Sequence, residues 1–342
     1  MKLLTTSLLR VSLAALALSA CAAPASAQSK KSPYQDPDDA PYDLGTPPAE
    51  IDIAWPEPPE ITREVTVRTL AEAQAAAATP GTRAHVEGAI AGTIQVRASD
   101  VEIEFAPGAS ADAVFIGKAL SRVAVRGGSV DHVEMELPAE YTTQLEYRPE
   151  LMTSDVLIDG VEADADDTAF LLRAGVRIAV TNSRGTAGRY SVWFGDSGEF
   201  ESEDVILAGN DFSSAGPEAT VRLVHVIRSA VVDNRLENGA KHNYRIHGRS
   251  DLNWASGNLL VNSGIMLGTM ADDSIGRQWF DDNTFHHQMP SLIEIHTDEP
   301  TLVMRRNKIY TDVWSCLICR ELPADWVVEG NELLPYEPPP AS

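Results

Sequence analysis

Six asparagines recur at nearly constant intervals in the second half of the chain: Asn210, Asn234, Asn258, Asn283, Asn307 and Asn331, spaced 24, 24, 25, 24 and 24 residues apart. Each sits in a similar segment: VILAGNDF, AVVDNRL, NWASGNLL, QWFDDNTF, LVMRRNKI and WVVEGNEL. An apolar residue lies three before each Asn, at Leu207, Val231, Ala255, Phe280, Met304 and Val328. Another lies two after it, at Phe212, Leu236, Leu260, Phe285, Ile309 and Leu333. A fixed period in this range defines a solenoid, in which each repeat buries its apolar face only against its neighbours.

Alternation with period two in the half before each Asn means strands. A repeat of this length, with two or three short strands and tight turns, suits a parallel β-helix. The Asn column has a physical reason. Asn tolerates a left-handed backbone at a sharp bend, and stacked amides can hydrogen-bond from coil to coil. These residues are therefore read as structural. Weaker copies precede them in VEIEFAPG, VAVRGGSV, VLIDGVEA and VRIAVTNS. A solenoid must cover its open end, and the Ala-rich run 69–81, TLAEAQAAAATPG, predicts a capping helix stopped by Pro80-Gly81. The fold expected is all-β: a right-handed parallel β-helix of about ten coils with an N-terminal capping helix.

From Val65 through VEGAIAGTIQVRASDVEIEF and on through the repeats, about 65–334, the chain resembles right-handed β-helix proteins of the pectin-lyase-like superfamily, which includes chondroitinase B-type and alginate lyases. The resemblance implies the fold. It carries over no catalytic residue, because none of those families' catalytic motifs has a copy here, and fold alone does not give function.

The ends read differently. Lys2 and Arg10 are the only charges before an apolar run, 11–20, too short to span a bilayer, and residues 1–20 read as a signal peptide. Leu18-Ser19-Ala20-Cys21 looks like a bacterial lipobox, which makes Cys21 the lipidated first residue; Ala22 after it resembles the outer-membrane sorting pattern. The competing reading is cleavage after Ala25-Ser26-Ala27 and a periplasmic or secreted chain. Residues 21–61, rich in proline and acid, read as a tether, and 335–342 as a similar tail around the β-helix at 62–334. Cys316 and Cys319 form a C-x-x-C that, in an exported monomer, reads as a structural pair.

Formal net charge is −23, which excludes nucleic acid as a partner, since phosphate binding needs a basic face. Against that background residues 239–258, GAKHNYRIHGRSDLNWASGN, gather Lys241, His242, Arg245, His247 and Arg249. A second strand lies about a dozen residues before each Asn. Its alternation turns Tyr244 and Ile246 inward and Arg245 and His247 outward. The same alignment brings Trp193, Arg222, Met266, Glu294, His296 and Arg320 to one face, although a one-residue slip would reverse it. The segment 131–155 is about ten residues too long for a plain turn and reads as one lip of a cleft.

A long basic face suits an extended anionic polymer such as a uronate polysaccharide. β-Elimination from a uronate requires a neutralised carboxylate, a base for the C5 proton and an acid for the leaving oxygen. The catalytic candidates are Arg222 or Arg245 as neutraliser, Lys241 or His247 as base, and His242 as acid. Trp193, Arg249, Glu294, His296 and Arg320 are the substrate-binding candidates. Tyr244 is a weaker candidate because it faces inward. The sequence establishes no cofactor with certainty; the carboxylates of Asp281 and Asp282, with Asp272 and Asp273 nearby, are candidates for Ca²⁺. His286-His287 with His296 lacks a distinctive metal spacing, and GDSG at 195–198 falls in a turn. The chain thus reads as an outer-membrane lipoprotein acting on an acidic polysaccharide. The alternatives are a non-catalytic cell-envelope protein binding glycan or protein, or a glycoside hydrolase using an Asp/Glu pair.

Overall fold

The structure, a computed structural model, describes residues 40–137, 152–195, 201–262, 264–268, 274–288, 292–297, 300–312 and 325–340. The signal peptide, Cys21, Cys316, Cys319 and Arg320 lie outside them, as do residues 138–151 of the long segment.

The fold is the expected right-handed parallel β-helix. Among the described residues, twelve strands, from Arg63–Val67 to Val327–Glu329, stack in parallel as one sheet, here the ladder sheet. Eighteen more form a second sheet folded into two rows. One coil runs Ser202–Ala208 in the ladder sheet, bends at Gly209, runs Asp211–Ser214 in the corner row, then Ala219–Val224 in the site row. The next repeats this as Val226–Val232, Arg235–Asn238 and His242–His247 in parallel register. Leu207, Val231, Phe280, Phe212, Leu236 and Phe285 fill the interior, stacked coil on coil. The helix is Leu70–Ala77, with Thr69 and Glu72 forming a capping box, and it buries Ala73, Ala76 and Ala77 over the first coils. At the other end no described coil covers Leu333, which is 55% exposed.

The asparagines form the expected ladder. Each Nδ2 donates to the next Oδ1 at 2.8–3.1 Å from Asn210 through Asn331. The same Nδ2 donates to a carbonyl of the preceding coil, as from Asn258 to Val231 at 2.7 Å. The left-handed backbone falls one residue earlier than expected: Gly209, Asp233, Gly257, Asp282, Arg306 and Gly330 have φ of 53–67°. The bend is made there, and this frees the Asn to point inward along the stack.

A second ladder flanks the start of the ladder-sheet strands. Asp100, Arg122, Asp155, Arg177, Asp204 and Arg228 occupy one column, each at φ 54–62°. They pair as Arg122–Asp100 at 2.5 Å, Arg177–Asp155 at 2.5 Å and Arg228–Asp204 at 2.7 Å.

Residues 40–61, expected as free tether, lie on the outer face of the ladder sheet. Trp55 packs on Ala124, Leu157, Ala179 and Ile206; Ile51 packs on Ala230, Val232, Trp254 and Trp279. Burying each such side chain contributes about 1.5–3 kcal/mol. The Glu57 and Glu60 amides donate to Asp155 and Asp100, both at 3.0 Å, and the Tyr42 hydroxyl donates to Asp233 at 3.2 Å. This strap explains why the ladder-sheet strands read as continuous apolar runs, since both of their faces are buried. The tail is also docked. The His286 Nδ1 donates to the Glu337 carbonyl at 2.6 Å, and Arg235 donates to the Pro340 carbonyl at 3.3 Å. Among the described residues, the chain's own proline-rich ends thus cover the ladder sheet and part of the corner row.

Candidate functional site

The site row is built from Thr168–Leu172, Tyr190–Phe194, Ala219–Val224, His242–His247, Gly264–Leu267 and Ile293–Ile295. Register aligns Leu171, Trp193, Arg222, Arg245, Met266 and Glu294 in one outward column, with His247 beside Val224. Period-two alternation sets this arrangement. Val221, Leu223, Tyr244 and Ile246 enter the core, and the residues between them face out. Tyr244 meets Phe280 edge-on at 6.0 Å between ring centroids, and burial pushes its hydroxyl pKa up, which removes it as an acid.

Arg222 is the hub. Its guanidinium stacks over Trp193 at 4.3 Å and lies 5.3 Å from the Tyr190 ring centroid. Its Nε donates to His247 Nε2 at 2.8 Å, and its Nη1 donates to the Tyr190 hydroxyl at 3.1 Å. Burial pushes the Arg222 pKa down. Arg245 pairs closely with Glu218, and Arg189 reaches the same carboxylate at 3.9 Å. Burial opposes the charge on Glu218, but Arg245, Tyr190 and Arg189 together hold its pKa below the usual carboxylate range. Arg173 lies over Trp193 at 5.6 Å. Tyr190, fully covered, has its pKa raised by burial despite Arg222.

His242 is also buried, and its Nε2 lies 3.7 Å from Glu294 Oε2. Burial lowers its pKa to about 4; Glu294 works against this, and Lys241, Arg245 and His296 reinforce it. It is therefore a neutral imidazole at pH 7, a base and not an acid. His296 reaches Glu294 at 3.4 Å. His247 cannot be a base through Nε2, whose lone pair receives the Arg222 N–H. Lys241 is exposed at the edge. The Arg249 side chain turns away to Glu201 at 3.3 Å.

Asp281 and Asp282 belong to the ladder sheet, apart from the site row. Arg305 holds both Asp281 oxygens at 2.9 and 2.7 Å, and Arg306 holds both Asp282 oxygens at 2.8 and 2.6 Å. The pair expected to bind Ca²⁺ is thus engaged by two guanidiniums. Among the described residues no group of three or more His, Cys, Asp or Glu is placed to hold a metal ion.

Sequence reasoning missed Tyr190, Arg173, Arg189 and Glu218. Arg173 was within reach, since it lies two residues beyond outward Leu171. Tyr190 was not, because it shares the parity of inward Val192 and turns out only at the strand start. The same row continues from Leu171 into a cleft of about 460 Å³ lined by Asp131, His132, Glu134, Asp164, Asp166 and Asp167. One end of the row is therefore basic and the other acidic.

Comparison with protein-family models and with curated protein sequences finds no match. Among solved structures, the chain is similar to an alginate lyase from Paenibacillus sp. str. FPU-7, with TM-score 0.57 and 12% identity, over 75% of this chain and 99% of that one. It also aligns with the enzymatically active domain of bacteriophage CBA120 tailspike protein 2, with TM-score 0.42 and 9% identity, over 68% of this chain and 44% of that one. At 12% identity the likeness to the alginate lyase is one of fold alone.

Proposed function

We propose that the chain is a carbohydrate-active β-helix protein of the pectin-lyase-like type whose site row takes an acidic, uronate-bearing glycan and cleaves it by β-elimination. The observation that carries this reading is the packing of Arg173 and Arg222 on Trp193, with Arg245 next to Arg222 in the same outward column, in a chain of net charge −23. The alginate lyase with this fold is a supporting parallel.

In this reading Arg245 and Arg222 neutralise the uronate carboxylate, which acidifies the C5 proton. His242, kept neutral, has its Nε2 covered beside Glu294, and takes that proton once the glycan displaces the Glu294 side chain. The electron pair forms the C4–C5 double bond as the C4–oxygen bond breaks, and Lys241 gives the leaving oxygen its proton. His242 thus replaces His247 and Lys241 as the base. Trp193 offers a face for sugar stacking, with Glu294 and His296 at the rim. Cys21 anchors the mature chain to the outer membrane, with the strap joining anchor to solenoid.

The test is incubation of the mature chain with alginate, pectate and chondroitin while ultraviolet absorbance of unsaturated uronate is followed. Absorbance that rises for one polymer and is lost in His242→Ala, at unchanged melting temperature, supports the reading. Binding without any rise favours the glycan-binding alternative. A second reading rests on the acidic cleft, where Asp131, Glu134, Asp164 and Asp166 could supply a hydrolase pair; it predicts new reducing ends without absorbance.

A further inference from the structure

Outside the site row, the tail meets a surface of defined chemistry. The outward residues of the corner row align as Arg235, Leu259, Thr284 and Lys308 in one column, and Glu237, Val261, His286 and Tyr310 in the next. Val261 faces outward yet is only 2% exposed. Its strand, Leu259–Asn262, lies between the Arg235 and His286 strands, on the path the tail takes from Glu337 to Pro340. The His286 ring stacks flat on Tyr310, with centroids 4.8 Å apart and planes 4° apart, and meets Tyr336 of the tail edge-on at 6.5 Å. The Tyr336 amide donates to Asp312 at 3.1 Å.

The tail suits this surface for a reason of chain chemistry. Pro338, Pro339 and Pro340 have no N–H, so the segment cannot join a sheet as a strand. Its carbonyls remain as acceptors, and two of them, three residues apart, meet donors two coils apart. Consecutive prolines favour polyproline II, which rises ~3.1 Å per residue, or ~9.3 Å over three. Two coil steps of ~4.8 Å give ~9.6 Å. The rise of three polyproline residues thus spans the two coil steps between the strands of Arg235 and His286, and the long Arg235 side chain covers the two-residue offset between their columns; Val261 lies between these strands and the Tyr310 ring one coil beyond His286. An aromatic-lined track with donors for carbonyls is how folded domains recognise such segments. Arg235 is held in place by Glu237 at 2.8 Å and Asp211 at 3.8 Å, so the donor is pre-positioned.

We propose that the outward face of the corner row, from Arg235 to Tyr310, is a recognition track for an extended proline-rich peptide, and that residues 335–340 are its resident ligand in cis. The track is closed while the tail is seated and takes a proline-rich segment of another chain when the tail leaves.

The test has two arms. In the intact chain the Tyr336 amide should exchange with deuterium at least about tenfold more slowly than in the Arg235→Ala/His286→Ala variant. In the second arm the probe is a labelled Pro-Tyr-Glu-Pro-Pro-Pro peptide. It should bind a chain ending at Leu334 and bind the intact chain at least about tenfold more weakly, and His286→Ala in the shortened chain should weaken it by about tenfold again. Unprotected Tyr336 in the intact chain overturns the proposal, which keeps it decidable if the shortened chain fails to fold. A shortened chain that melts cooperatively and ignores the peptide also overturns it. Equal binding of a peptide with alanine in place of Pro338, Pro339 and Pro340 does the same.

Discussion

Two sets of arginines occupy this molecule, and the chain treats them in opposite ways. In the column on the ladder sheet, Arg122, Arg177 and Arg228 each lie fork to fork with an aspartate of the preceding coil. The bonds from Asp155 hold the Arg177 pKa above its ordinary value. In the site row, Arg222 is bonded to a neutral imidazole and a phenol and stacked on two rings, and burial pushes its pKa down. Charge in the first set is neutralised within the fold, so it adds rigidity and no field. Around Arg222, among the described residues, Glu218 is shared by Arg245 and Arg189. Under the proposed function, the carboxylate of the glycan adds a further negative charge beside these guanidiniums. Counting basic residues would not separate the two sets; their partners do.

The largest effect should come from breaking a ladder rung. Asp155→Ala leaves the partly buried Arg177 and the Glu57 amide without their acceptor and should cost about 3–5 kcal/mol in urea denaturation. The rung also predicts a pH dependence. Burial raises the Asp155 pKa, but Arg177, the Glu57 amide and Ser154 outweigh it and leave the pKa lowered. A carboxylate depressed in the folded state contributes stability that is present above its unfolded pKa of about 3.9 and is lost as pH falls through the folded value. The stability gap between the native chain and Asp155→Asn should therefore be flat from pH 6 to 8 and close below about pH 4. A gap that persisted at pH 2 would show that the rung does not act through charge.

Arg222→Ala should cost less, about 1–2 kcal/mol, the worth of one partly buried cation–π contact and two hydrogen bonds to neutral groups. Arg222→Lys should lose nearly as much, because an ammonium can neither fork nor stack as the guanidinium does. If lysine restored full stability, charge alone would define the position and the two sets of arginines would no longer differ. His242 sharpens the contrast from the other side. Its folded pKa of about 4 lies below its ordinary value because of burial, so between the two the unfolded chain binds more protons. The native chain should lose stability relative to His242→Gln as pH falls from about 6.5 to 4. If His242 is the base, kcat/KM should hold through this range and fall near pH 4.

How much of this the sequence showed depends on whether the determinant repeats. The Asn column, the inward Leu207 and Val231 stacks and the outward Trp193, Arg222 and Arg245 all repeat with the coil and could be aligned by spacing. The Asp/Arg column also repeats, but its intervals run 22, 33, 22, 27 and 24 residues, because loops of varying length intervene, and this hid it. The strap at 40–61 repeats nothing. Its prolines and acids resemble a linker, and only Ile51 and Trp55, matched against an unusually apolar outer sheet face, mark it as docked. Tyr190 and Glu218 enter the site from a strand start and a turn, where period-two alternation does not apply.

The smallest effect is expected at two adjacent residues that look identical in sequence. Asp281 is buried and its Arg305 is 30% exposed, whereas Asp282 and Arg306 are 50% and 54% exposed. Asp282→Ala removes a screened surface pair and should change stability by only about 0–1 kcal/mol. Calcium provides the control. An ion bound by this pair would stabilise the fold in proportion to the logarithm of its concentration, and Asp282→Ala would abolish that. With four carboxylate oxygens already held by guanidiniums, a divalent cation would have to displace two arginines and then sit beside their charges. The melting temperature of the native chain and of Asp282→Ala should therefore move together between chelator and millimolar Ca²⁺. A shift in the native chain alone would mean that the arginine pairs yield to a metal, and the ladder sheet would then carry a binding site of its own.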